Sequence, residues 1–150
     1  MLYKKARVFN GLSFRDKLFF LRVVILLSFS KLVILFIPLK RIAPHLGKLN
    51  EKIRTELTPK ETKIADRVKL FIYMAGSNVP WRSVCLDQAL TCMLLLNRYK
   101  IPCSLYLGVR KNETLKKLDA HAWVVAGMEI LVGGKRSRNY NVVAWFSKEH

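Results

Sequence analysis

The longest apolar run lies near the start of the chain. From Phe14 to Ile37 the sequence reads FRDKLFFLRVVILLSFSKLVILFI, about the length of a membrane span. Arg22 and Lys31 interrupt it. At about 100° per residue their spacing puts them on opposite sides of a helix. A lipid-facing span would have to snorkel both, and Ser28 and Ser30 weaken it further. The pattern ranks a helix buried against the rest of the protein first, an interfacial helix second and a true span third. Pro38 ends the run.

Residues 40–57 are polar and broken by Pro44 and Gly47. Thr58-Pro59-Lys60-Glu61 reads as a helix start, with Thr58 as N-cap and Glu61 three positions on. Ile64, Val68, Phe71, Ile72 and Ala75 then mark one apolar face, which Gly76-Ser77-Asn78 stops. A second helix opens near Ser83. Leu86, Ala89, Leu90, Met93, Leu94 and Leu96 make it nearly all apolar, so it should be central and buried. Ile101-Pro102 ends it.

Beyond Pro102 the period becomes extended. Strands are predicted over 103–109, 120–126, 130–132 and 142–146. A charged loop covers 110–118, a tight turn falls at Gly127-Met128, and a glycine-rich basic loop covers 133–138. Helices followed by an antiparallel meander make an α+β fold. It divides into a helical N-terminal region over 1–57 and a core over 58–150, built on a central helix and an antiparallel sheet.

Composition narrows the function classes. The 150 residues are 51% hydrophobic and 25% charged, which suits one domain, or a domain with a helical extension, and excludes wholesale disorder. Lys and Arg number 27 against 10 acids, for a net charge of +17. The excess is spread over both halves, so acidic peptides, phosphates or an anionic membrane are fitting neighbours. Nucleic acid is not expected as a partner, because the aromatics are not interleaved with Lys and Arg on a recognition element. Three cysteines are too few and too odd for a disulfide framework, which points to a reduced, cytoplasmic setting. No small-residue cleavage site closes the apolar run. No cofactor or metal is expected: there are no Cys/His pairs at metal spacing, and Gly133-Gly134-Lys135 lacks the strand–helix context of a phosphate loop.

The candidate chemistry rests on Cys85 and His121. Cys85 falls in the first turn of the apolar helix, where free amides and the positive end of the dipole favour a thiolate and an oxyanion. Cys92 lies two turns further on and should be packed; Cys103 has no such setting. His121 sits mid-strand between Ala120 and Ala122. If that strand passes the helix start, its imidazole can take the thiol proton and later protonate the leaving amine. An inert buried cysteine and a satisfied structural histidine are the commoner roles for such residues. His45 lies in a Pro/Gly linker and His150 is terminal. Trp81 and Trp123 flank the two candidates in sequence, and suit either a peptide cleft or core filling.

The block Pro80-Trp81-Arg82-Ser83-Val84-Cys85-Leu86, Ile101-Pro102, Leu107-Gly108-Val109 and Ala120-His121-Ala122-Trp123-Val124 resembles the maturation protease of lasso-peptide biosynthesis. This is the transglutaminase-like B protein in its split, protease-only form. Ile37-Pro38-Leu39 and Leu46-Gly47 after the apolar run resemble the helical region preceding that protease core. The resemblance implies a cysteine protease that removes the leader from a ribosomally made precursor peptide. Cys85 would be its nucleophile and His121 its general base. It further implies a small separate leader-binding protein, and an ATP-dependent cyclase that closes the macrolactam afterwards.

One position departs from the pattern. The superfamily carries an acid, usually Asp, on the strand after the histidine strand. Here the position facing His121 falls near Gly133 or Gly134, which have no side chains. Asp119 shares the face of His121, and Glu129 lies about 13 Å along the strand. A backbone carbonyl, a water, Asn139 or Asn141 are the other ways to fix the ring. The expectation is therefore a Cys85–His121 dyad. The missing acid keeps an alternative open, a non-catalytic basic scaffold or adaptor in a peptide-modifying complex.

Overall fold

The computed structural model describes residues 10–114 and 116–150. Helix α1 runs from Phe14 to Phe36, capped by the Ser13 hydroxyl, which accepts from the Asp16 N–H. A short helix α2 (Leu39–Ile42) and a 3-10 turn (Ala43–His45) lead to β1 (Lys48–Leu49). Helix α3 spans Pro59–Gly76 and helix α4 Cys85–Arg98. Then come β2 (Cys103–Asn112), β3 (Lys117–Ala126), β4 (Glu129–Val132), the short helix α5 (Gly134–Ser137) and β5 (Asn141–Lys148). The α+β expectation stands.

Local signals account for the helix bounds. The Thr58 N–H donates to the Glu61 carboxylate at 2.8 Å, and the Glu61 N–H to the Thr58 hydroxyl at 3.3 Å, a complete capping box. Arg54 adds a 2.6 Å ion pair to Glu61. With the Thr58 bonds, this guanidinium holds the Glu61 carboxyl down at about 2. Helix α4 is the central element and buries Ala89, Leu90, Cys92, Met93, Leu95 and Leu96.

Helix α1 is buried on one side only, which corrects the first-ranked reading. Phe19, Val23, Leu27 and Ser30 face α3 and α4. The Phe19 ring meets Phe71 edge-on at 5.1 Å, and the Ser30 and Thr91 hydroxyls are hydrogen-bonded at 3.0 Å. The two cations of the run have separate solutions. Lys31 turns inward, donating to the Arg82 carbonyl at 3.2 Å with Asp87 at 3.9 Å. Arg22 stays exposed.

The sheet has the order β1-β5-β2-β3-β4 and is antiparallel throughout. It is not the simple meander expected, because β5 returns to pair with β2 rather than β4. Strand neighbours depend on long-range packing, which periodicity does not encode. The expected 110–118 loop is mostly hairpin. Arg110 pairs with Asp119 and Asn112 with Lys117, since opposite charges across strands favour continued pairing. The expected 133–138 loop contains α5. In the segment read as broken, β1 pairs with β5; Gly47, at φ +124, lets the chain pass hard against the Ser147 carbonyl.

The sheet has two distinct faces. Leu105, Ala122, Val124, Ala126 and Phe146 join the helices in the core. On the other face Tyr106 stacks between Trp123 and Trp145, at 5.7 and 5.9 Å. The carbonyl of Glu51 reaches that face, accepting from Trp145 Nε1 at 3.1 Å and from the Ser147 hydroxyl at 2.7 Å.

Candidate active site

The start of α4 is set by a residue the sequence reading did not single out. Asp87, fully buried, accepts the Val84 N–H at 3.1 Å and the Ser83 hydroxyl at 3.0 Å. This ends the preceding chain and leaves Cys85 as the first helical residue. The Cys85, Leu86 and Asp87 amides come before the first intrahelical bond, from Gln88 N–H to the Val84 carbonyl. Cys85 is half-buried, while Cys92 and Cys103 are fully buried. Burial raises the Cys92 thiol well above its usual range and pushes Cys103 up to about 12. Both are therefore held as inert thiols.

On β3, His121 lies opposite Gly108. Its Nε2 stands 2.7 Å from the Gly133 carbonyl oxygen. A carbonyl only accepts, so Nε2 carries the proton, and in the neutral ring Nδ1 keeps its lone pair. The backbone thus occupies the place where the superfamily's acid was expected. Gly133 has φ +79, and a side chain there would press on the Ala122 carbonyl and on Trp123 Cβ.

Asp119 does not hold the imidazole. Its carboxylate accepts from Tyr140 at 2.7 Å and from Arg110 at 2.9 and 3.1 Å. The Tyr140 hydroxyl and the Arg110 guanidinium lower the Asp119 pKa. The anchored Tyr140 ring then lies 5.0 Å from the His121 ring, with Trp123 at 5.9 Å on the other contact. Glycine at 108 is required here, because a side chain would strike Trp123 and Tyr140 at 2.8 Å. Glu129 pairs instead with Lys69 at 3.4 Å. No hydrogen bond joins Asn139 or Asn141 to His121.

The relation of the two candidates follows from the fold. Helix α4 joins β2 through the short Ile101-Pro102 link and packs on β2, β3 and β4. Its 14 residues rise about 20 Å. That equals about six residues of strand, which carries the level of Cys85 back to Gly108–Val109, the level of His121 and Ala120. The two residues therefore share one end of the sheet. They are not hydrogen-bonded to each other. His121 alternates with the core residue Ala122, so its ring leaves β3 on the face turned away from the helices. Proton transfer between them therefore needs the His121 ring to come round the end of the sheet.

Of the remaining candidates, His45 is exposed beside α2, and Trp81 is partly buried, its Nε1 without a partner. Among the described residues no three His, Cys, Asp or Glu side chains cluster as metal ligands would.

Compared with known families, residues 33–144 match the transglutaminase-like superfamily. No curated protein and no solved structure matches the chain. The superfamily commonly includes cysteine peptidases and transglutaminases. The match runs from within α1 to within β5 and takes in the Cys85 helix, the His121 strand and Gly133. The chain belongs to the transglutaminase-like superfamily.

Proposed function

We propose that the protein is a cysteine peptidase that removes the leader from a lasso-peptide precursor. The observation that carries this reading is the His121 imidazole, fixed through Nε2 by the Gly133 carbonyl with Nδ1 left as a base, at the level of a thiol on the first residue of the central helix. For this the His121 ring must come round the end of the sheet to the thiol, and it then takes the Cys85 proton as Sγ attacks the scissile carbonyl carbon. The developing oxyanion accepts from the unpaired amides of Cys85 and Leu86. Collapse breaks the C–N bond, and His121 returns the proton to the departing amine of the core peptide. Water, deprotonated by the same nitrogen, then hydrolyses the thioester and frees the leader carboxylate.

In this reading the precursor arrives on a small leader-binding protein, and a separate ATP-dependent cyclase acts on the freed amine. The +17 charge suits an acidic leader or partner. The test mixes the chain with precursor and leader-binding protein and follows the product by mass spectrometry. Hydrolysis releases a core peptide with a free N-terminus, whereas acyl transfer to an amine gives a heavier leader product. Cys85→Ala should abolish cleavage with folding intact, and His121→Ala should slow it about 10²–10⁴-fold. The adaptor reading draws on the lack of a Cys85–His121 hydrogen bond, and unchanged cleavage by Cys85→Ala would establish it in place of the peptidase.

A further inference from the structure

Helix α1 carries two stripes on nearly opposite sides. Phe19, Val23, Leu27 and Ser30 are packed. Leu18, Leu21, Ile25, Phe29, Leu32 and Phe36 are each more than half exposed. At about 100° per residue these six fall within about 80° of one another. They form a continuous apolar strip along a helix about 35 Å long, a surface that isolated exposed side chains do not make.

The charges around the strip are of one sign. Arg15 and Arg22 lie along its edge, and Lys40 and Arg41 follow its C-terminal end, all exposed. Asp16 is the only acid between residues 10 and 50, and it is paired with Arg67 at 2.7 Å toward the packed side. Beside the C-terminal half of the strip lies an apolar cavity of about 280 Å³, lined by Phe29, Val33, Ile37 and Leu94, with Arg41 on its wall. Asn97 also lines it, and its buried Oδ1 has no partner.

We propose that α1 docks the protein on an anionic membrane, lying in the interface plane with this strip in the acyl boundary and its rim of cations among the lipid headgroups. The helix lies on the bilayer rather than spanning it. Its other face is tied to α3 and α4 by the Phe19–Phe71 contact, the Ser30–Thr91 bond and the Lys31 bond to Arg82, and a span would tear these apart. The cavity continues the strip into the protein and accommodates an apolar chain end. This inference does not depend on the peptidase reading.

Flotation of the full chain tests it, using vesicles of phosphatidylglycerol mixed with phosphatidylcholine against phosphatidylcholine alone. The chain should float with the anionic vesicles, at least tenfold less with the neutral ones, and progressively less as salt is raised. Leu21→Gln/Ile25→Gln/Phe29→Gln should lose binding more than tenfold with an unchanged thermal midpoint. Arg15→Glu/Arg22→Glu provides a second variant should the first not fold, with the same loss expected. Cys85→Ala should bind as the parent does, which separates this result from that of the cleavage assay. Absence from anionic vesicles, or full binding by either folded variant, would overturn the proposal. So would a dimer that the triple variant converts to monomer, which would assign the strip to a second copy of the chain.

Discussion

The Nε2 of His121 meets the backbone of Gly133, not a side chain, at 2.7 Å. The position of that carbonyl depends on a left-handed residue at φ +79. Gly133→Ala brings about 1–2 kcal/mol of left-handed strain and about 1–3 kcal/mol of crowding against Trp123 and the Ala122 carbonyl. Urea unfolding should report a loss of about 2–5 kcal/mol by these two effects. The folded fraction should cleave more than tenfold slower, because the ring loses its tautomer and aim. An unchanged rate per folded molecule would mean that this carbonyl does not orient the base.

Thiol labelling should separate the three cysteines. Cys85 is half-buried, whereas Cys92 and Cys103 are closed off, and burial raises both of their thiols. Iodoacetamide at neutral pH should add once to the native protein, at Cys85, and three times after denaturation. Peptide mass mapping reads this directly. Early labelling at Cys92 would contradict the packing of α4.

Tyr140→Phe keeps the ring beside His121 but removes its tie to Asp119. The Asp119 carboxyl is held low first by that hydroxyl and then by Arg110. The variant should therefore raise the Asp119 pKa toward the ordinary carboxylate value, as followed by carboxyl NMR titration. Cleavage should slow severalfold as the ring loosens. An unmoved Asp119 would assign the whole depression to Arg110.

The α3 cap gives a pH signature. Glu61 falls from 4.5 to about 2 in the folded protein. The folded state thus binds fewer protons than the unfolded chain in this window. The stabilisation is fully present above about pH 4.5 and is lost as pH falls toward 2. Glu61→Gln should lower the thermal midpoint at pH 6, and the difference from the parent should shrink steadily through that window. A pH-independent difference would show that the contribution is not one of charge.

Much of the local structure was legible before the fold. Apolar spacing and the Pro and Gly breaks marked α1, α3 and α4 to within a few residues. The register count from the Gly127-Met128 turn put Gly133 or Gly134 opposite His121; strand pairing stops short of it, at Val124–Val132 beside a bulge, and Gly133 meets the His121 ring through its carbonyl instead. The sequence reading missed the network around it. Ending a strand at 109 hid the Arg110–Asp119 pair, and Tyr140 had no marker for its ring contact. The burial of Asp87 was equally hidden, since an acid in the first turn of a helix reads as an exposed cap.

Contiguous residues alone determined the helix and strand periods, the capping box at Thr58, and the chemical identities of Cys85 and His121. These depend on side chains a few positions apart, whose geometry the backbone period sets. The tertiary structure decided that β5 lies beside β2, that α1 buries one stripe and leaves the other bare, and that a carbonyl common to every residue becomes the partner of His121. Each of these joins parts of the chain far apart in sequence, and a backbone oxygen carries no letter by which the sequence can announce it.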